Sequence, residues 1–229
     1  DNEIDVQELK AVAGLPVDEK VNGYGLSFVG RNFARAKYTQ RTEKELSLNT
    51  ALSKHIDTTQ NLVLKGDNLD NLKILKSHYS GEIKCIYIDP PYNTDKDEFI
   101  YPDKFDKEEA EVLGLQNLNN EDFARMDFSF TTKKSHNGWL SFMYPRLLLA
   151  RDLLSNDGVI FISIDDNEQA NLKLLCDDIF GEECFVANMV VNRASEIATE
   201  NTIQKHEYLL CYTKKLSEFK VTGIPKYSI

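Results

Sequence analysis

One short run limits this chain more than any other. Cys85-Ile86-Tyr87-Ile88 is continuously apolar and stops at Asp89-Pro90-Pro91-Tyr92-Asn93. A run without polar alternation suits a strand buried on both faces, as in a parallel sheet. The two prolines end it abruptly, because neither can donate to a ladder. A second apolar run at 159–164 leads into Asp165-Asp166-Asn167-Glu168. Two such strands must be joined by a crossover, and a crossover of this length carries a helix.

The rest of the chain is built around that pair. Residues 61–65 read as a short strand ending at Gly66, and Asp67 stands at an N-cap ahead of Leu69, Leu72 and Leu75 on one helical stripe. A strong helix is expected over 139–155, with Leu140, Met143, Leu147, Leu148 and Leu154 apolar, Pro145 near its start, and Asn156-Asp157-Gly158 as its stop. Asp165 and Glu168 have capping-box spacing for a helix that ends at Phe180-Gly181. Residues 185–191 and 207–212 read as two further strands. Between these elements, 93–138 is acidic and loop-rich, with short helices near 107–113 and 120–127 and a surface loop over 129–138. Residues 1–55 form a polar N-terminal extension with one or two short helices and a Gly-rich turn at 22–25. Strand and helix alternating in this way indicate an α/β, doubly wound sheet.

Composition narrows the class. The chain has 229 residues, 41% of them apolar and 28% charged, which excludes global disorder. No apolar run approaches the roughly 20 residues that a membrane span needs, and the sequence opens on Asp1-Asn2-Glu3 without an export-signal pattern. Cys85, Cys176, Cys184 and Cys211 are scattered, with no C-x-x-C pair and no adjacent histidine. They read as reduced thiols of a cytoplasmic protein, and no metal site is expected. The formal charge of −10 argues against a free-standing, non-specific nucleic-acid binder. Charge is uneven, however. Residues 20–44 carry six basic groups and one acid, and 89–111 carry nine acids and three lysines. Solvated faces account for both, and the basic stretch is also a candidate contact for DNA backbone or a partner subunit.

Asp89-Pro90-Pro91-Tyr92-Asn93 carries the chemistry. In an open α/β sheet, ligands bind beyond the carboxyl ends of the strands, which is where these residues fall. The pentapeptide has a chance frequency on the order of 10⁻⁷ per position. A carboxylate and an adjacent peptide carbonyl are both acceptors, and together they can take both hydrogens of an exocyclic amine. That orients the nitrogen lone pair toward an electrophile while the prolines hold the acceptors still. Tyr92 can stack on a base taken out of a duplex. Alkyl transfer to the amino group of a nucleobase follows, and it needs no general base before attack, because the nitrogen loses its proton once cationic.

The stretch 85–94 resembles the amino-methyltransferase motif of S-adenosylmethionine-dependent DNA methyltransferases, and its leading Asp resembles the adenine-N6 group. Residues 64–73, the helix from Trp139 through Tyr144, Pro145 and Arg146 to Asp152, residues 158–168 and residues 206–210 resemble the modification subunit of type III restriction–modification systems. The resemblance spans roughly residues 20–215. It implies that Asp89 and the Pro90 carbonyl hold the adenine N6 amine, with Pro91 stiffening the loop, Tyr92 stacking on the flipped base and Asn93 binding substrate. For Asp67 two readings stand side by side: a plain helix N-cap, or the family's acidic residue near the adenine end of S-adenosyl-L-methionine. Asp165, Asp166 and Glu168 read as capping residues.

The same resemblance implies a sheet of order 3-2-1-4-5-7-6, mostly parallel with a C-terminal antiparallel hairpin. This chain supplies strands 3 to 7. Its target-recognition region and F-x-G-x-G cofactor loop are absent, and Phe28-Val29-Gly30-Arg31-Asn32, the nearest match, lacks the last glycine. The expectation is a partial methyltransferase domain over 56–229, an N-terminal fragment lacking strands 1 and 2 and incompetent for tight cofactor binding alone. Its partners would be DNA, the remaining methyltransferase segment or a second polypeptide, a restriction subunit and a second copy in a homodimer. The rival readings are a non-catalytic assembly or DNA-binding fragment, and a methyltransferase acting on RNA or a protein amide.

Overall fold

The computed structural model describes residues 25–94, 135–198 and 203–221. The short helices expected near 107–113 and 120–127, the turn at 22–24 and most of the 129–138 loop lie outside them. In chain order the elements are α1 (Arg31–Thr39), α2 (Asn68–Tyr79), β1 (Ile83–Ile88), α3 (His136–Leu153), β2 (Leu154–Ile164), α4 (Gln169–Phe180), β3 (Phe185–Ala198) and β4 (Ile203–Thr213).

The four strands form one sheet in the order β1-β2-β4-β3. β1 and β2 run parallel, with Ile86 opposite Ile160 and Ile88 opposite Ile162. β4 is antiparallel to both β2 and β3. This is the order that the resemblance implies for strands 4, 5, 7 and 6. The expectation of a mostly parallel sheet does not hold among the described residues, where the hairpin contributes two antiparallel pairings against one parallel pairing. The strand expected at 61–65 does not form either. Those residues are coil, and Val63 is 97% exposed, because no neighbouring strand among the described residues takes up their backbone groups.

The core lies on one face of the sheet. Ile160, Ile162, Ile164, Leu210 and Tyr212 join Trp139, Met143 and Leu147 of α3 and Leu172, Leu175 and Ile179 of α4, with Ile86 and Ile88 packed against them. The other face of β1 carries Cys85, which is exposed, and Tyr87, which is 62% exposed. The expected burial on both faces is therefore corrected: β1 is a one-sided edge strand. Cys176, Cys184 and Cys211 are buried free thiols, and burial pushes the Cys211 thiol up to about 11.

Helix α3 is the hub. It is buried nearly all round, and α1, α2 and α4 pack against it. It starts earlier than expected because Ser135 caps it, accepting from Gly138 N at 3.1 Å. Pro145 thus falls in the helix interior, at a cost of about 3 kcal/mol that packing on all sides offsets. Gly158 does not stop the helix, which ends at Leu153; it lies in β2 beside the irregular β1 pairing. A Cβ there would come within 2.9 Å of the Ile83 and Ser155 carbonyl oxygens, so only glycine permits the approach.

Part of the basic stretch is not solvated surface. Arg31 donates to both carboxylate oxygens of Asp178 and to the Leu26 carbonyl. Lys37 is buried, with its ammonium 4.7 Å from the centre of the Phe33 ring. Arg31 ties α1 to α4, and Lys37 is buried against a ring of its own helix instead of facing a polyanion. Among the described residues, no helix is long and apolar enough to cross a membrane.

Candidate active site

β1 and β2 run in one direction, so Asp89 and Asp165 leave the sheet at the same edge, where β4 enters with Tyr208 opposite Ile164. The loop after β1 is fastened at successive residues. Pro91 presents its carbonyl to the indole N–H of Trp139, which donates at 2.7 Å from a fully buried side chain. Tyr92 is half-buried and packs against the core. Its phenol is held well above the usual tyrosine range, first by burial, then by the Asp89 carboxylate that accepts its hydrogen bond and by the charge of Glu207; the Ser163 hydroxyl works the other way.

Asn93 is buried and has φ +59°, in the left-handed region. For a residue with a Cβ this costs about 1 kcal/mol. Its side-chain amide donates to Glu168 Oε1 at 2.5 Å. Glu168 is wholly buried and accepts two more bonds, from His136 Nδ1 at 2.7 Å and from Asn171 Nδ2 at 2.8 Å on Oε2. A carboxylate offers only acceptors, so the His136 proton sits on Nδ1. The capping box expected from Asp165 and Glu168 is not formed. Glu168 occupies the N-cap without a side-chain cap bond, while Asp165 accepts from Asn167 N at 2.9 Å and Asn167 Nδ2 at 2.8 Å. Asn93 and His136 offered the Glu168 carboxylate partners that sequence spacing could not reveal.

Asp67 caps α2, with Oδ1 accepting from Leu69 N at 2.9 Å and Asp70 N at 3.1 Å. Its Oδ2 stays off the cap, 3.9 Å from the Arg146 guanidinium. Arg146 is buried and donates to Asn68 Oδ1 at 2.6 Å and the Phe142 carbonyl at 2.7 Å. Trp139 and Arg146 lie about two turns apart on α3 and so share one face. That face holds the Pro91 carbonyl at one end and the start of α2 at the other. Neither residue is a candidate from sequence alone, although a single tryptophan in 229 residues is a mild pointer.

Asp89 is exposed and Pro90 half-buried, beside the pinned Pro91 and Asn93. The arrangement offers two acceptors to an incoming donor from a backbone that cannot swing away. The loop at 25–32 offers no comparable cradle: Val29 N donates to Asn137 Oδ1 at 3.3 Å, and Val29 O accepts from Ser141 Oγ at 3.4 Å. Among the described residues, no group of three His, Cys, Asp or Glu could hold a metal ion.

Residues 83–225 match the family N6_N4_Mtase, described as DNA methylase. The chain belongs to this family. It is 43% identical over 212 residues to the StyLTI Mod subunit of a type III restriction-modification enzyme from Salmonella typhimurium, covering 90% of this chain and 32% of that protein. It is 40% identical over 222 residues to the EcoP15I Mod subunit from Escherichia coli, covering 93% and 34%. It is also 38% identical over 161 residues to the type II methyltransferase M.KpnI of Klebsiella pneumoniae, covering 69% and 34%. The chain spans about a third of the length of these curated relatives.

Proposed function

We propose that this chain carries the catalytic-motif part of a DNA adenine-N6 methyltransferase of the type III modification-subunit kind, working in the cytoplasm on duplex DNA with one adenine turned out. The carrying observation is the loop Asp89–Asn93 at the carboxyl end of β1, pinned through Pro91 to Trp139 and through Asn93 to Glu168. In this reading Asp89 Oδ and the Pro90 carbonyl each accept one hydrogen of the N6 amine. That sets the nitrogen lone pair out of the base plane, and the accessible part of the Tyr92 ring stacks on the base.

S-adenosylmethionine, when bound, supplies an electrophilic methyl group on a sulfonium sulfur. The described residues fit one end of it. Asp67 keeps Oδ2 off the helix cap with its side chain 40% exposed, an acceptor for a donor group of the adenosine. The glycine-rich cradle for the methionine end has no counterpart among the described residues, in keeping with a chain completed by a further segment or second polypeptide. DNA, that segment, a restriction subunit and a second copy are the partners proposed.

The test is product analysis. The chain, joined by a segment bearing an F-x-G-x-G loop, is incubated with methyl-labelled S-adenosylmethionine and duplex DNA, and the digested nucleosides are separated. Label on N6-methyladenine is the expected result. Label on N4-methylcytosine, or on RNA or protein offered in parallel and not on DNA, would replace this reading, and DNA binding without any transfer would favour a non-catalytic role.

A further inference from the structure

We propose that Glu168 is the positioning residue of the Asp89–Asn93 loop, an inference that deepens the methyl-transfer reading and rests on it for its functional consequence. Glu168 touches three separate parts of the site. Its Oε1 accepts from Asn93 at the end of the loop and from His136 at the first residue of α3, and its Oε2 accepts from Asn171 in α4. The side chain is fully buried, so water cannot take over these bonds. Asn93 has a left-handed backbone that an isolated chain would abandon. Its bond to Glu168 holds it there, and Trp139 holds Pro91 two residues earlier. Asp89 and Pro90 are the two residues between the end of β1 at Ile88 and the Pro91 anchor. The directions of the Asp89 carboxylate and the Pro90 carbonyl are therefore set by where Pro91 is held, and Asn93 bound to Glu168 fixes the chain just beyond it. Glu168 touches no reacting atom; it acts through Asn93.

Trp139 is the single tryptophan of the chain, so its indole N–H gives one nitrogen-15 resonance whose hydrogen exchange reports release of the Pro91 carbonyl. In the full chain, Glu168→Ala is expected to accelerate that exchange on the order of 10- to 100-fold, the loss of a charge-assisted buried bond. The amides of Ile160 and Ile162 in β2 should stay within about twofold, because the opening is local. Glu168→Gln keeps one acceptor oxygen and should fall between wild type and Ala. Asn93→Gly, which leaves the left-handed backbone accessible, should match Glu168→Ala, and combining the two should add nothing. Unchanged indole exchange in the Gln and Asn93→Gly variants overturns the proposal, as does acceleration equal to that of Ile160 and Ile162, the mark of a merely structural role. Should Glu168→Ala not fold, the other two variants decide. In methyl transfer by the chain joined to its cofactor-loop segment, Glu168→Gln should lower kcat about tenfold with KM for S-adenosylmethionine within about twofold. The exchange measurement needs no activity, so failure of the wild-type chain, once joined to its cofactor-loop segment, to transfer methyl contradicts the functional reading and leaves the Glu168 result intact.

Discussion

Residues 61–65 and β1 look alike as sequence. Each is a short apolar run that ends at a glycine or proline turn beside an acidic residue, Asp67 in one case and Asp89 in the other. Only the second is a strand. β1 gains a backbone partner in β2 and lays Ile86 and Ile88 against the core, whereas 61–65 has neither and leaves Leu62 and Val63 in solvent. Apolar, β-prone residues are common to both, so the pairing partner decides the outcome. The two acidic residues differ in the same sense. Asp67 spends Oδ1 on amides two and three residues away, a local bond that forms whatever the sheet does. Asp89 stands on a loop fixed by residues from two distant helices.

This contrast can be broken at several points. The largest effect on folding is expected where the β1–β2 pair meets the core: Ile162→Ala should destabilise the chain by about 2–5 kcal/mol in urea unfolding, since the side chain is fully buried. Asp67→Ala should cost about 1 kcal/mol, the value of an N-cap, and should lower helix content at α2 without loosening the Trp139 indole bond. A loss as large as that of Ile162→Ala would mean that Asp67 is tied into the core. Val63→Ser should change stability by less than about 0.5 kcal/mol, because the side chain is almost wholly exposed. A cost near that of a core residue would show that 61–65 is a paired strand after all.

What sequence disclosed follows the same division. Helix α2 with its Asp67 cap, the end of α4 at Gly181, β3 and β4 as strands and the position of Asp89 at a strand end were all legible, because each depends on neighbours in the chain or on local apolar pattern. The antiparallel pairing of β3 with β4 came instead from the family resemblance. The ligature around the loop was not. Trp139 reads as an apolar helix residue, and its donor role appears only when Pro91 is brought beside it. Glu168 reads as half of a capping box, and the stronger pull of Asn93 and His136 comes from far along the chain. The basic residues of α1 misled in the same way, since Asp178, the partner of Arg31, belongs to α4. Long-range polar pairs leave no periodic trace, and here they hold the Asp89–Asn93 loop.

The central claim is that Asp89 receives the target amine. It is tested most directly by comparing wild type with Asp89→Ala in the chain completed by its cofactor-loop segment, scoring methyl transfer to adenine N6 and DNA affinity in parallel. Removing one preorganised acceptor should reduce transfer by about 10²- to 10³-fold, with DNA affinity unchanged within about twofold, because sequence-independent binding rests on phosphate contacts. Transfer that survives the substitution at the wild-type rate would contradict the account.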